Sequence, residues 1–168
     1  MEREEIEAAI RSAFGGVTLG SGVSLRQAQA IDNSILGLDP PIDLPGPEIT
    51  DDWTRIPDSE LARDCIAHLD RVGLRYYLPA LLLWLLDHYD DGDVLVDMTV
   101  IGTISALAWS AQFDTSYREV YATFTTEQRT SVARYVAALP RLVNLDPEDL
   151  TLISRSLDRY WAQFLPRR

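Results

Sequence analysis

The apolar positions of the chain are densest in residues 74–89, LRYYLPALLLWLLDHY. Every residue from 81 to 86 is apolar, which is typical of a helix that is buried on all sides. Proline suits the first turn of a helix because it has no N–H and a fixed φ. The pattern therefore predicts a helix from about Pro79 to about Tyr89, with residues 75–78 as a tight lead-in or a separate short turn. The apolar run from Tyr76 to Leu86 is far shorter than the roughly 20 residues that span a bilayer.

The N-terminal part of the chain carries two further helical patterns. Residues 2–14 have apolar side chains at three- and four-residue spacing, and acidic residues fill the first turn. Ser24 and Gln27 have the spacing of a capping box and predict the start of a second helix. The inward faces of these two helices are expected to contain Ile6, Ala9, Ile10 and Phe14, and Leu25, Ala28, Ile31 and Ile35.

The C-terminal part has equally clear helix starts. A short helix is expected over residues 117–123, and Thr125 with Gln128 forms a second capping box that begins a long helix ending before Pro140. Asp146 followed by a proline is a strong start for the last helix. The inward faces are expected to contain Val132, Tyr135, Val136 and Leu139, and Leu150, Ile153, Leu157, Trp161 and Phe164.

Two middle segments are less regular. Pro57 predicts a helix that runs to about residue 72. Residues 94–113 are rich in β-branched side chains over 94–104, which favours a strand, yet the apolar run is longer than a typical strand. We expect a helix, in which Gly102 allows a neighbour to approach closely, and a strand over residues 94–104 is the alternative.

A proline-rich segment separates the second and third helices. Residues 38–50 contain four prolines and can form neither a regular helix nor a central strand. Its apolar residues, Ile42, Leu44 and Ile49, favour a strap on the surface over a free linker. These patterns together predict a mainly α fold, a compact single-domain helical bundle over residues 1–168 with about six to eight helices around a central apolar helix.

The charge balance narrows the possible partners. The formal net charge is −11, which argues against nonspecific nucleic-acid binding and is compatible with a basic protein partner. All fifteen basic residues are arginine, so the chain lacks the lysine of a phosphate-binding loop. Cys65 is the only cysteine, and the first residues do not resemble a signal peptide. We expect a cytoplasmic protein with neither a membrane nor a nucleic acid as partner.

No metal or catalytic motif is apparent. Cys65 and His68 are one helical turn apart, but no second Cys/His pair completes a four-coordinate zinc site. The acidic run 87–93 also fails as a calcium loop, because Met98 falls where a bidentate glutamate is required. No nucleophile signature is present. We therefore expect no catalytic residues, no metal and no cofactor.

Acidic residues cluster where the apolar helix should end. Carboxylates near a helix C-terminus face the negative end of the macrodipole, at a cost of roughly 0.3–1 kcal/mol each. The cluster is either a solvated loop or a surface for a basic partner. Its members are Asp87, Asp90, Asp91 and Asp93.

Arg75, Tyr76 and Tyr77 form a second candidate contact site. Arginine and tyrosine are enriched at binding hot spots. The alternative is that the tyrosines pack in the core and Arg75 pairs with an acid. The predicted partner-binding residues are therefore Arg75, Tyr76 and Tyr77 together with the four aspartates.

Three stretches together resemble a known family. They are GLRYYLPA at 73–80, FTTEQR at 124–129 and LDRYW at 157–161. The chain is similar from about Ser24 to its C-terminus to an uncharacterised bacterial family, a domain of unknown function. That family has a GFRYYLPA-type motif, an LTPEQR-type helix start and a C-terminal YW. In this chain, Leu74 replaces the Phe of the first motif, and Thr126 replaces the Pro of the helix-start motif. The resemblance implies a helical fold and brings no established activity.

Two functions are compatible with these features. The first is a non-enzymatic acidic binding protein, such as a cytoplasmic immunity or inhibitor protein that neutralises a basic toxin or nuclease. The alternative is a small enzyme or ligand-binding domain with a pocket near Arg75, Tyr76, Tyr77 and His88. A flat acidic face would favour the first function, and a concave pocket with perturbed titratable groups would favour the second.

Overall fold

The computed structural model describes residues 2–37, 46–63, 65–108 and 114–166. These residues form helices and no strand, so the predicted mainly α fold is confirmed. The α-helices are α1 (Glu2–Ala13), α2 (Leu25–Leu36), α3 (Asp58–Leu61), α4 (Arg71–His88), α5 (Val94–Leu107), α6 (Asp114–Ala122), α7 (Thr126–Leu142) and α8 (Pro147–Arg159). Three short 3-10 helices cover Trp53–Arg55, Ile66–His68 and Trp161–Phe164.

The described residues fall into two compact units. The terminal unit comprises Met1–Gly15 and Ile104–Arg168, and the central unit comprises Gly16–Thr103. The boundary lies within α5. No observation tests the expectation of a single domain over residues 1–168, which stays a prediction.

In the terminal unit, α1 packs against α7. The predicted inward face of α7 is fully buried, and the Thr125–Gln128 capping box is present. Gln128 also donates its side-chain Nε2–H to the Ala13 carbonyl at 3.2 Å, which satisfies a backbone acceptor at the end of α1. Trp161 is fully buried and donates its indole N–H to the Leu107 carbonyl at 2.9 Å. Local helix caps and buried aromatic side chains therefore stabilise this unit.

The central unit is built on α4, whose Leu78, Leu81, Leu82 and Leu85 are fully buried. The predicted start near Pro79 is wrong, because α4 begins at Arg71 and continues through the proline. Asp70 caps the helix and accepts hydrogen bonds from the N–H of Gly73 at 2.7 Å and of Val23 at 3.0 Å. Burial of the preceding turn outweighs the missing N–H of Pro79, which removes one helical hydrogen bond.

The predicted helix over residues 57–72 is also wrong. The structure has the single turn α3, then the 3-10 helix Ile66–His68, and Asp70 already caps α4. By contrast, α5 confirms the helix over Val94–Leu107 and rules out the strand alternative. A Cβ built on Gly102 would lie 3.2 Å from Ile66 Cδ1, which confirms the close approach of a neighbour. Residues 109–113 of that prediction lie outside the described residues.

Several helix faces and ends differ from the predicted pattern. Ile31 and Ile35 on α2 are 42% and 69% exposed, although Ser24 and Gln27 form the predicted capping box. α7 continues through Pro140 to Leu142, and α8 ends at Arg159, so that Trp161 and Phe164 lie in a separate 3-10 helix. Leu150 is 42% exposed rather than buried. Packing within each unit decides which apolar residues are buried, and the helical pattern of the sequence alone does not specify that.

The end of the proline-rich segment is attached to the central unit. The Leu19 N–H donates to the Thr50 carbonyl at 2.8 Å, and the Tyr76 hydroxyl donates to the Ile49 carbonyl at 3.0 Å. These bonds are consistent with the predicted strap. Its other apolar residues, Ile42 and Leu44, lie outside the described residues.

Candidate functional site

Six exposed aspartates lie on or beside the connection between α4 and α5 in the central unit, and we call this group the acidic corner. α4 ends at His88 and α5 begins at Val94, and the short connection between them carries three of the aspartates. Asp58, at the start of α3, joins the group from a distant part of the chain. The acidic corner consists of Asp58, Asp87, Asp90, Asp91, Asp93 and Asp97, all exposed.

His88 lies between two of these carboxylates. Its Nε2 is 3.9 Å from Asp58 Oδ2 and 3.9 Å from Asp91 Oδ2. Its Nδ1–H donates to the Trp84 carbonyl at 2.9 Å, since a carbonyl can only accept, and the imidazole stacks on the Trp84 ring at 4.5 Å. Trp84 therefore orients His88, whose imidazole lies near the start of α3 as well as the connection that follows α4.

Asp93 differs from the other aspartates of this cluster. It directly precedes α5, and its Oδ1 accepts a hydrogen bond from the Val96 N–H at 3.4 Å, as an N-cap residue does. Asp93 and Asp97 lie at the positive end of α5, where the macrodipole favours a carboxylate. The unfavourable position that the sequence predicts for all four clustered aspartates applies only to Asp87, Asp90 and Asp91.

An exposed apolar row on α5, which we call the α5 stripe, begins directly after Asp93. Val94, Met98 and Ile101 are 75%, 40% and 54% exposed. Their spacing of four and three residues places them in one line on the helix surface. Asp97 borders this line, because it lies one residue before Met98 and three after Val94. Sequence reasoning did not single out the stripe, because α5 is apolar on nearly every side.

The second predicted contact site is mostly interior. Tyr76 and Tyr77 are fully buried, and their rings pack edge to face at 4.9 Å. Burial raises the pKa of both phenols well above the ordinary value, and nearby acids, Asp51 for Tyr76 and Glu48 for Tyr77, raise it further. Both tyrosines therefore have the core role that the sequence offered as the alternative, and Arg75 beside them is half-buried.

The residues of the predicted pocket do not converge. His88 follows Tyr77 by eleven positions on the same helix, which is about 16 Å along its axis. Arg75 is likewise far from the acidic corner, because Asp87 follows it by twelve positions on α4. The structure thus brings the four predicted aspartates together, adds Asp58 and Asp97 to them, and places Arg75, Tyr76 and Tyr77 elsewhere.

A buried ion pair near Tyr77 was not predicted. Glu60 is 1% exposed and accepts a hydrogen bond from Arg26 Nη2 at 3.1 Å, and Arg26 also donates to the Gly46 carbonyl at 3.0 Å. Glu60 Oε1 and Arg26 Nε are buried without a hydrogen bond to the described residues. The Tyr77 hydroxyl also lacks a well-formed bond, although a backbone group of Leu25 is close enough to lower its pKa. The pair joins α2 to α3 across 34 residues, which no local pattern reveals.

Cys65 and His68 point to different partners. The buried Cys65 thiol donates to the Leu25 carbonyl at 3.3 Å, and His68 Nε2 lies 3.1 Å from Asp32 Oδ1. Within the described ranges, no group of three or more His, Cys, Asp or Glu residues is arranged to hold a metal ion. Asp64, which precedes Cys65 in the sequence, lies outside the described residues.

The terminal unit contains an open groove of about 640 Å³ between α1 and α7. Small and hydroxyl side chains line it, among them Ala9, Ser12 and Thr130. At the α7 N-terminus, hydrogen bonds from its own backbone and from Thr125 lower the pKa of the Glu127 carboxyl. This carboxylate already occupies the positive end of the helix, so the groove is not arranged for an anion.

None of the helices in the described ranges is long and apolar enough to cross a membrane.

Comparison with protein families identifies the family of this chain. The model of the family of unknown function DUF6714 matches residues 2–165, and the chain belongs to that family. The match confirms the resemblance to an uncharacterised family and extends it to the N-terminal side of Ser24. No curated protein and no solved structure matches the chain.

The motifs behind the resemblance have structural roles. In the first motif, Gly73 and Leu74 are buried in the first turn of α4. In the second, Thr125 and Gln128 form the capping box of α7, and in the third Trp161 is fully buried. These residues explain the fold that the motifs specify and add no reactive group to a site.

Proposed function

We propose that this family member is a non-enzymatic binding protein that takes a basic protein as its partner, acting in the cytoplasm as an immunity or inhibitor protein for a basic toxin or nuclease. The observation that carries this proposal is the acidic corner, where exposed carboxylates from three segments gather and Asp58 and Asp91 each lie 3.9 Å from His88. Such a surface attracts a basic partner over a distance and can mask a positively charged active site.

The placement of the charges supports a role beyond stability. Asp93 and Asp97 are explained by the start of α5, but the α4 macrodipole disfavours Asp87, Asp90 and Asp91. A net charge of −11 adds further repulsion among them. Unfavourable groups gathered on an exposed surface are typical of sites that serve binding.

The alternative function has no comparable support. A pocket near Arg75, Tyr76, Tyr77 and His88 requires side chains that face one space. The tyrosines are buried, and His88 is about 16 Å farther along α4. A small enzyme or ligand-binding domain therefore stays a prediction from the sequence alone.

The test compares two double substitutions with the same change in charge. Asp90→Asn with Asp91→Asn alters the acidic corner, and Glu4→Gln with Glu5→Gln alters exposed carboxylates of α1 in the terminal unit. The candidate partner is the product of the neighbouring gene, which is tested first for binding to the wild-type protein. Its association rate is measured at low and high salt by surface plasmon resonance.

We expect the aspartate pair to slow association and flatten its salt dependence, because peripheral charges act mainly on the association rate. The glutamate pair should behave almost as the wild type does. Equal effects of the two pairs would mean that only the net charge of the protein matters, and not the position of the acidic corner. Association that is unaffected by the aspartate pair at both salt concentrations would remove the acidic corner from the function.

A further inference from the structure

We infer that the α5 stripe receives an amphipathic basic helix of the partner, whose apolar face lies on Val94, Met98 and Ile101 and whose cationic flank faces the acidic corner. This inference rests on the proposed function and adds the kind of segment that is recognised. Helix-in-groove recognition of this kind reads apolar anchors at helical spacing.

The stripe has the dimensions of such a contact. Ile101 lies seven positions after Val94, so the stripe extends about 10 Å along α5, which is about two helical turns. A partner helix presents one heptad of apolar residues over the same length. All three side chains belong to the central unit and are at least 40% exposed.

An ordinary amphipathic helix turns its polar residues to water, and α5 does not follow that pattern. The opposite face of α5 carries two threonines, Thr99 and Thr103, that are fully buried. The Thr103 hydroxyl donates to the Thr99 carbonyl at 2.8 Å, and the Thr99 hydroxyl donates to the Leu61 carbonyl at 3.4 Å. Val100 and Ile104 are buried beside them, so this part of α5 has apolar side chains both inside and outside, unlike a helix that presents only polar residues to water. Single exposed apolar residues are normal on a monomer, whereas an aligned row beside charges is typical of an interaction site.

Charge decides which occupant fits. Asp97 lies beside the stripe on α5, and Asp93, Asp91 and Asp90 lie at its N-terminal end. An anionic membrane surface would be repelled by these carboxylates. In a symmetric contact, a second copy of this chain would place two identical acidic corners close together. A helix with arginine or lysine beside its apolar face complements both the stripe and the corner.

The probe is a synthetic helical peptide of leucine and arginine with the leucines on one face, labelled for fluorescence anisotropy. One control peptide has the same composition in an order that breaks the leucine face, and another has glutamate in place of arginine. The protein variants are Met98→Ser with Ile101→Ser and, as a matched control, Ile31→Ser with Ile35→Ser on the exposed face of α2. Circular dichroism checks that each variant keeps its helical content.

We expect the amphipathic basic peptide to bind at least tenfold more tightly than either control peptide. The α5 substitutions should lower its affinity roughly tenfold, because truncated apolar anchors lose most of their contact area, and the α2 substitutions should change it less than twofold. Amide protection or chemical-shift changes should concentrate on residues 94–101.

The other outcomes overturn the inference in distinguishable ways. If the two arginine peptides bind equally and only the aspartate substitutions weaken them, the acidic corner acts without the stripe and the proposed function stands. If the glutamate peptide binds as well as the arginine peptide, the proposed function fails as well. Self-association that is lost with Ile101→Ser would assign the stripe to a second copy of the chain. Absence of binding by the amphipathic peptide would also overturn the inference.

Discussion

Gly73 lies where the first turn of α4 meets the backbone that precedes α2. A Cβ built on Gly73 would lie 2.2 Å from the Val23 carbonyl oxygen, and one built on Gly22 would lie 2.7 Å from the Gly73 nitrogen. Neither contact can be relieved by a side-chain rotation, since both involve backbone atoms. The close approach also allows Asp70 to cap α4 and bind the Val23 N–H at once.

The substitution Gly73→Ala should therefore destabilise the protein by roughly 1–3 kcal/mol, as overpacking does, in spite of the better helix propensity of alanine. Chemical denaturation measures the change. Gly15→Ala is the control, because a Cβ there would lie at an ordinary 3.4 Å from the Arg11 carbonyl. Equal stability of the two variants would show that the backbone at residues 22 and 73 can separate without penalty.

Among contacts between individual residues, the ion pair of Glu60 and Arg26 is the clearest buried one. Glu60 is almost fully buried, whereas the Arg26 side chain is 26% exposed. A double-mutant cycle with Glu60→Ala and Arg26→Ala should give a coupling free energy of about 0.5–3 kcal/mol. Glu60→Ala alone should destabilise the protein, because it leaves Arg26 without its carboxylate. Additive free energies in the cycle would mean that the two side chains are stabilised independently.

At the scale of the elements, α4 owes its stability to burial on all sides. Leu82 and Leu85 are fully buried, and α4 packs against α3 and the 3-10 helix Trp53–Arg55. We expect Leu82→Ala and Leu85→Ala each to lower the free energy of unfolding by roughly 2–5 kcal/mol. Urea titrations report the change. A loss below about 1 kcal/mol would place these side chains at a surface instead.

The connection between α4 and α5 separates two electrostatic roles. Asp93→Ala should destabilise the protein by about 0.5–2 kcal/mol, because α5 loses its cap. Asp90→Asn with Asp91→Asn should stabilise it by a few tenths of a kcal/mol, because the unfavourable interaction with the α4 macrodipole is relieved. Thermal denaturation at low salt compares the variants. A shift of the same sign for both would contradict the assignment of Asp93 to α5.

At the scale of the whole molecule, buried phenols should limit stability in alkali. Burial raises the pKa of Tyr76 and Tyr77 in the central unit, and of Tyr135 in the terminal unit, well above the ordinary value. Above pH about 10 the unfolded chain loses these protons while the folded chain keeps them, so stability falls as pH rises. Each phenol contributes a loss of up to about 1.4 kcal/mol per pH unit.

Denaturation midpoints between pH 8 and 11 test this expectation, with tyrosinate absorbance as the measure of ionisation. Tyr77→Phe is the informative variant, because the Tyr77 hydroxyl makes no well-formed hydrogen bond to the described residues. It should change stability little at neutral pH and reduce the alkaline loss. A profile that matches the wild type above pH 10 would show that Tyr77 ionises while folded.

Local signals in the sequence were sufficient for much of the secondary structure. The capping boxes at Ser24 and Thr125 and the Asp146 cap are all present in the structure. These features depend on hydrogen bonds between residues two or three positions apart, so a short window of sequence contains both partners. The aspartates at the end of α4, Asp87, Asp90, Asp91 and Asp93, could be identified as candidate site residues because they are neighbours along the chain.

The sequence by itself therefore determined the helical class, the capped helix starts and the acidic character of one helix end. Tertiary structure decided that α4 begins at Arg71, that Tyr76 and Tyr77 are interior, that Asp58 joins the acidic corner, and which face of α5 is exposed. Each of these depends on groups distant in sequence, such as Val23 beside Gly73 or Leu61 beside Thr99. A helix that is apolar on nearly every side has no preferred inward face, so only its neighbours select the side that meets water.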